Sequence, residues 1–147
     1  MFKKIIFSLV VLFSVASVDA QFRKIPAEVT DSFKVKYANA SGVSWKDKLS
    51  SFQADFKVDN KEMKSMFSSK GEWIKTETKY SFDKVPIDVK DGFKKSKYAD
   101  MPVQEVLLIE EKDKATQYRV IVKKSDFNKR HLVFASTGQL ISDNTSL

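Results

Sequence analysis

Two spacings of apolar residues follow one another along this chain, and then the pair recurs. After Pro26, Val29, Phe33 and Tyr37 return every fourth residue among Glu, Asp, Ser and Lys, the spacing of a narrow apolar stripe on a helix. Proline suits the first turn because its φ is already fixed there. Glu28 and Asp31 toward the amino end, with Lys34 and Lys36 toward the other, complement the helix dipole. Past Asn39 the interval shortens to two: Val43, Trp45 and Leu49 alternate with polar residues, as do Phe52, Ala54, Phe56 and Val58. That pattern predicts strands with one buried face. Turn signals at Asp59-Asn60 and Lys70-Gly71 bound two further strands, Glu62 to Ser69 and Glu72 to Tyr80.

The second half restates the first. KIPAEVTDSFKVKYAN, from Lys24, reappears as KVPIDVKDGFKKSKYAD, from Lys84, pairing Pro26 with Pro86, Val29 with Val89, Phe33 with Phe93 and, after one inserted residue, Tyr37 with Tyr98. In the second helix the stripe runs Val89, Phe93 and then Lys97 or Tyr98. The match resumes downstream, where Phe67-Ser-Ser-Lys-Gly71-Glu-Trp-Ile74 aligns with Phe134-Ala-Ser-Thr-Gly138-Gln-Leu-Ile141. Strands are expected over Val103 to Glu111, Gln117 to Lys124, Lys129 to Ser136 and Gln139 to Asp143. The fold class is therefore α+β: two tandem α-β-β-β-β units, residues 21–84 and 85–147, joined in an antiparallel sheet with one helix per unit on one face.

Side-chain parity then predicts what the opposite face carries. A two-residue loop at Lys70-Gly71 sets Phe67 opposite Ile74 and turns Trp73 away from the helices; the same count places Leu140 and Ala135 on that outer face. In the second unit alternation breaks down, with Val106 to Ile109, Val120 to Val122 and Leu132 to Phe134 all apolar. If Leu108, Val120 and Phe134 are core, Leu107, Ile109, Ile121 and Val133 face outward beside Arg119 and His131. Contiguous apolar surface of this kind marks either a contact site or a face covered by another part of the assembly. The candidate partner-binding residues are Trp73, Leu107, Ile109, Arg119, Ile121 and Val133.

The first twenty residues stand apart from this pattern. Lys3 and Lys4, the apolar run Ile5 to Val18, and the small-residue exit ending at Ala20 form a secretory signal, with cleavage expected after Ala20. The apolar run is shorter than the roughly 20 residues of a spanning helix, so no membrane anchor is expected to remain. An exported protein, periplasmic or secreted, is the expectation. The whole chain carries a formal charge of +7, but its Lys residues are interspersed with acids, the pattern of a solvated surface. The tightest basic clusters are Lys94, Lys95, Lys97 and Lys123, Lys124, Lys129, Arg130. No nucleic-acid partner is expected.

Candidate chemistry is sparse. His131 is the one histidine and cysteine is absent, so no usual zinc set can form, and no metal or other cofactor is expected. Glu110 and Glu111 are adjacent in a strand, point to opposite faces and cannot share a cleft as acid and base. No nucleophile elbow, P-loop or dinucleotide fingerprint occurs. A non-enzyme is expected.

The I-P-x-E-V-x-D-x-F run at residues 25–33 and the F-x-S-x-G motifs at 67–71 and 134–138, set in tandem helix-plus-meander units, resemble the PepSY-like family, also described as β-lactamase-inhibitor-like. The resemblance spans Ile25 to about Asn144. It implies the α-β4 fold and, by analogy, an exported protein-binding module, an inhibitor or regulator acting on an extracytoplasmic protein through the sheet face opposite the helices. A small-molecule or polyanion binder using the basic clusters, and a structural envelope protein, are the alternatives. Oligomeric state and the partner's identity are left open.

Overall fold

The structure, a computed structural model, describes residues 23–145. The signal segment expected over residues 1–20 lies outside them. In chain order the elements are α1 (Ala27–Lys36), β1 (Ser41–Asp47), β2 (Ser51–Val58), β3 (Lys61–Ser68), β4 (Trp73–Tyr80), a 3-10 turn (Phe82–Lys84), α2 (Ile87–Lys95), β5 (Val103–Glu111), β6 (Gln117–Ser125), β7 (Asn128–Ala135) and β8 (Leu140–Thr145). The strands form one eight-stranded sheet in the order β1 to β8, and every pairing is antiparallel. This is the α+β arrangement of two α-β4 units that the repeat predicts, with β4 pairing to β5 to join them.

Each helix starts at its proline. Pro26 and Pro86 stand at the N-caps and their carbonyls accept from Val29 and Thr30, and from Val89 and Lys90. The stripe residues are the buried ones: Val29 and Phe33 in α1, Val89 and Phe93 in α2. Just past α2 it is Tyr98, not Lys97, that turns into the core.

The repeated F-x-S-x-G motif has a structural cause. Each glycine sits at a hairpin tip with left-handed backbone, φ +80° at Gly71 and +83° at Gly138. Each also abuts the first turn of its unit's helix: a Cβ would lie 2.4 Å from the Glu28 carbonyl oxygen at Gly71 and 2.1 Å from that of Asp88 at Gly138. Backbone freedom and lack of a side chain are both required, so glycine alone fits. The tip of β3–β4 is thereby held against α1, and that of β7–β8 against α2.

Two separate cores result. Phe33, Phe52, Phe56 and Phe67 fill the first, with Tyr37, Trp45 and Trp73 packed at its margin. Aliphatic Val89, Val106, Val120, Val122 and Leu132 dominate the second, together with Phe93, Tyr98, Tyr118 and Phe134. The lid tyrosines reach equivalent strand positions: the Tyr37 hydroxyl hydrogen-bonds to Thr76 Oγ1, which sits opposite Ser65, and the Tyr98 hydroxyl donates to Asp143 Oδ2, which sits opposite Leu132.

Candidate site on the strand face opposite the helices

The strands' second face is built from side chains whose parity opposes the core. Register sets Ser44, Asp55, Lys64, Glu77, Ile109 and Gln117 in one row across β1 to β6. The next row carries Lys79, Leu107, Arg119, Val133 and Ser142 across β4 to β8, and beyond it lie Glu105, Ile121, His131 and Asn144. In a flat sheet β1 and β5 would stand about 19 Å apart. Here Gly42 and Ser44 of β1 line the same cavity, about 300 Å³, as Glu105 and Leu107 of β5. The sheet therefore curls away from the helices, and this face is concave.

Concavity brings neighbouring side chains together and changes what the face exposes. Leu107, Ile109, Ile121 and Val133 do share it with Arg119 and His131, as parity predicts. Yet Ile109 is only 3% exposed, Ile121 4% and Val133 9%, with no helix over them among the described residues. Leu107 and Arg119 are partly exposed.

An ion cluster marks the centre of the face. Glu77 Oε1 lies 3.0 Å from Lys75 Nζ on its own strand and 3.0 Å from Arg119 Nη1 two strands away. Burial pushes the Glu77 carboxyl upward, but the Lys75 hydrogen bond and the two positive charges outweigh it and hold the group below the usual carboxylate range. Flanking pairs join Lys46 to Asp55 and Lys79 to Glu62. Glu77, Lys75 and Lys79 were absent from the candidate residues, although Lys75, Glu77 and Lys79 alternate with Thr76, Thr78 and Tyr80 in the sequence, a period of two that marks the outward parity of β4.

His131 sits on the same face with its Nε2 buried and without a hydrogen-bond partner among the described residues. Burial lowers its pKa, and Lys129 and Arg119 push it the same way. It is held neutral near pH 7.

Trp73 departs from the expectation. It pairs with Phe67 and shares its face, on the helix side. Its Nε1 donates to Thr76 Oγ1 at 2.8 Å, and Lys36 Nζ sits 4.0 Å above its ring. The cause is the turn. Ser68 N–H bonds to the Glu72 carbonyl and Gly71 N–H to the Ser68 carbonyl, a three-residue loop, not a two-residue one. A bulge at Ile74 then restores the expected pairing of Met66 with Lys75. The second hairpin repeats both features, so Leu140 pairs with Phe134 on the helix side as well.

No helix among the described residues is long and apolar enough to cross a membrane. Residues 50–142 match the family model described as beta-lactamase-inhibitor-like, PepSY-like. Several solved structures share the fold. A DUF2874 family protein from Bacteroides uniformis is 28% identical, with a TM-score of 0.77 over 81% of this chain and 88% of that one. A BLIP-like protein from Bacteroides fragilis is 26% identical, with a TM-score of 0.77 over 86% and 89%. A protein from Bacteroides eggerthii, provisionally described as periplasmic, is 24% identical, with a TM-score of 0.78 over 82% and 88%. No curated protein matches the sequence.

Proposed function

Because the chain belongs to the beta-lactamase-inhibitor-like, PepSY-like family, we propose that it is an exported, non-catalytic module that binds another extracytoplasmic protein through the concave strand face. The observation that carries this reading is the face itself: a concave strand surface that no helix among the described residues covers, where partly exposed Leu107 and Arg119 stand over buried Ile109, Ile121 and Val133 and the Arg119–Glu77–Lys75 cluster crosses the centre. A rigid sheet presents such a patch without ordering cost, and an arginine beside apolar residues is the composition of binding hot spots. The description of one structural neighbour as BLIP-like, and of another as periplasmic, supports the same class and compartment. The polyanion alternative is weaker on physical grounds. Within the basic clusters Lys123 pairs with Asp126, while Lys97 and Arg130 lie against Asp143, so acids neutralise part of the field.

The test is affinity capture from the native envelope fraction with the exported chain as bait, repeated with Arg119→Ala and Leu107→Asp. Each should lower retention of the captured protein at least tenfold, a loss of about 1.4 kcal/mol, with the melting temperature within a few degrees of the parent. Val35→Ser, on the exposed side of α1, should leave retention unchanged. Retention that survives both concave-face substitutions would move the contact off this face.

A further inference from the structure

A second surface, separate from the concave face, lies at the β1 edge. Among the described residues β1 pairs only with β2, so its other side offers unpaired backbone groups. Between this edge and α1 runs an apolar groove of about 370 Å³, lined chiefly by Phe33, Tyr37, Ala40, Val43 and Trp45. Val43 is 40% exposed, although it lies in a strand that carries no proline.

The repeat shows what such a groove accepts. β5 is the counterpart of β1: Trp45 opposes Ala54 as Val106 opposes Val120, Asp47 opposes Phe52 as Leu108 opposes Tyr118, and both strands carry a register shift at the same end. In the second unit, however, the corresponding edge is filled. β4 runs antiparallel along β5, pairing Thr78 with Leu108 and Tyr80 with Val106. The chain then continues to Phe82, whose ring packs edge-on against Phe93, 5.4 Å between centroids. Phe93 is the repeat's equivalent of Phe33. Tyr80 reaches Tyr118 at 6.1 Å, and Lys90 Nζ donates to the Asp83 carbonyl just beyond. The protein thus contains its own bound example, an extended strand ending in aromatic-x-aromatic and seated against a strand edge and a helix.

We propose that the β1 edge and its groove take up an extended segment of a partner protein by strand addition. The segment runs antiparallel to β1, with one aromatic side chain opposite Trp45 and a second, two residues on, against Phe33. Backbone hydrogen bonds to β1 supply affinity and the groove supplies selectivity for the aromatic. Strand edges left open are the known templates for such pairing.

The probe is a synthetic peptide copying Lys75–Phe82, Lys-Thr-Glu-Thr-Lys-Tyr-Ser-Phe, titrated into the isotope-labelled exported chain. Saturable amide shifts confined to β1 and the α1 residues facing it, at or below about 1 mM peptide, are expected. Replacing the peptide's terminal Phe by Ala, or Val43 by Asp in the protein, should each weaken binding at least tenfold, the latter without lowering the melting temperature by more than a few degrees. If Val43→Asp does not fold, the peptide substitution decides. Absence of shifts at 1 mM, or shifts on the concave face instead, overturns the proposal. One further outcome also overturns it. Gln21-Phe22-Arg23-Lys24-Ile25-Pro26 parallels Ser81-Phe82-Asp83-Lys84-Val85-Pro86, so binding seen only in a Phe22→Ala variant would assign the groove to the chain's own Phe22.

Discussion

Under α1, Phe33 meets four aromatic rings, those of Tyr37, Trp45, Phe56 and Phe67. Under α2, the equivalent Phe93 meets one, Phe82, in a core where aliphatic residues predominate. The opposite faces differ in the reverse sense: over β1 to β4 the concave side is mostly charged, and over β5 to β7 it carries Leu107, Ile109, Ile121 and Val133 beside Glu105, Arg119 and His131. One backbone frame, written twice, gathers its aromatic contacts on the helix side of one unit and its apolar concave-face residues in the other. What the two copies keep is the set of features that closes the frame, namely the prolines, the stripe, the tip glycines and the lid tyrosines. What they vary is the chemistry offered outward. Keeping the first while changing the second lets a duplicated unit alter its surface without losing its fold.

The largest test of that contrast is in the cores. Phe33→Ala should cost about 4–5 kcal/mol in urea unfolding and Phe93→Ala about 3–4, because the four ring contacts of Phe33 add to the cavity cost common to both. Equal costs would mean that aromatic geometry adds nothing to the first core. Next come the tips. Gly138→Ala should cost about 3 kcal/mol and Gly71→Ala about 2, from the left-handed backbone and the collision with the helix carbonyl. If either variant keeps the parent stability, the docking of hairpin tip on helix is not structural. The smallest effect separates the lids by pH. Burial raises the Asp143 carboxyl, but hydrogen bonds from Tyr98 and Arg130 outweigh it and leave the pKa lowered. Its contribution, held below about 1 kcal/mol by solvent screening, is complete above the ordinary aspartate value of about 3.9 and fades as pH falls through the lower folded value. Asp143→Asn should remove that part of the acid slope. Tyr37→Phe, which breaks a neutral hydroxyl network, should cost about 1 kcal/mol with no added pH dependence.

Much of this architecture is legible in the amino-acid order, because the features that encode it are local. A proline, a stripe at helical spacing and a change of period mark each unit, and β5 runs over Val103–Glu111 as the repeat predicts. The outward parity of Leu107, Ile109, Ile121 and Val133 is legible for the same reason: register carries across a sheet once one core row is known. Trp73 was misplaced because a three-residue loop and a bulge at Ile74 shift the tip by one residue, and no side-chain pattern distinguishes Lys70-Gly71 as the end of a longer loop. The burial of Ile109 and Ile121 was not legible either. It arises from the curl of the sheet, a sum of small twists over many strands that no short stretch of sequence records.

The uninterrupted β1-to-β8 order also bears on how the chain reaches this state. Among the described residues every strand pairs only with its neighbours in sequence, and the longest span between paired strands is the one that crosses α2, from Tyr80 to Val103. Loop closure is then inexpensive at each step, and no strand waits for a partner from the far end of the chain. A polypeptide emerging amino-terminus first can fasten each hairpin as it appears and add it to a growing edge. Its folding rate should lie toward the fast end for a sheet of this size, with the β4–β5 joint, which closes the longest loop, the slowest step.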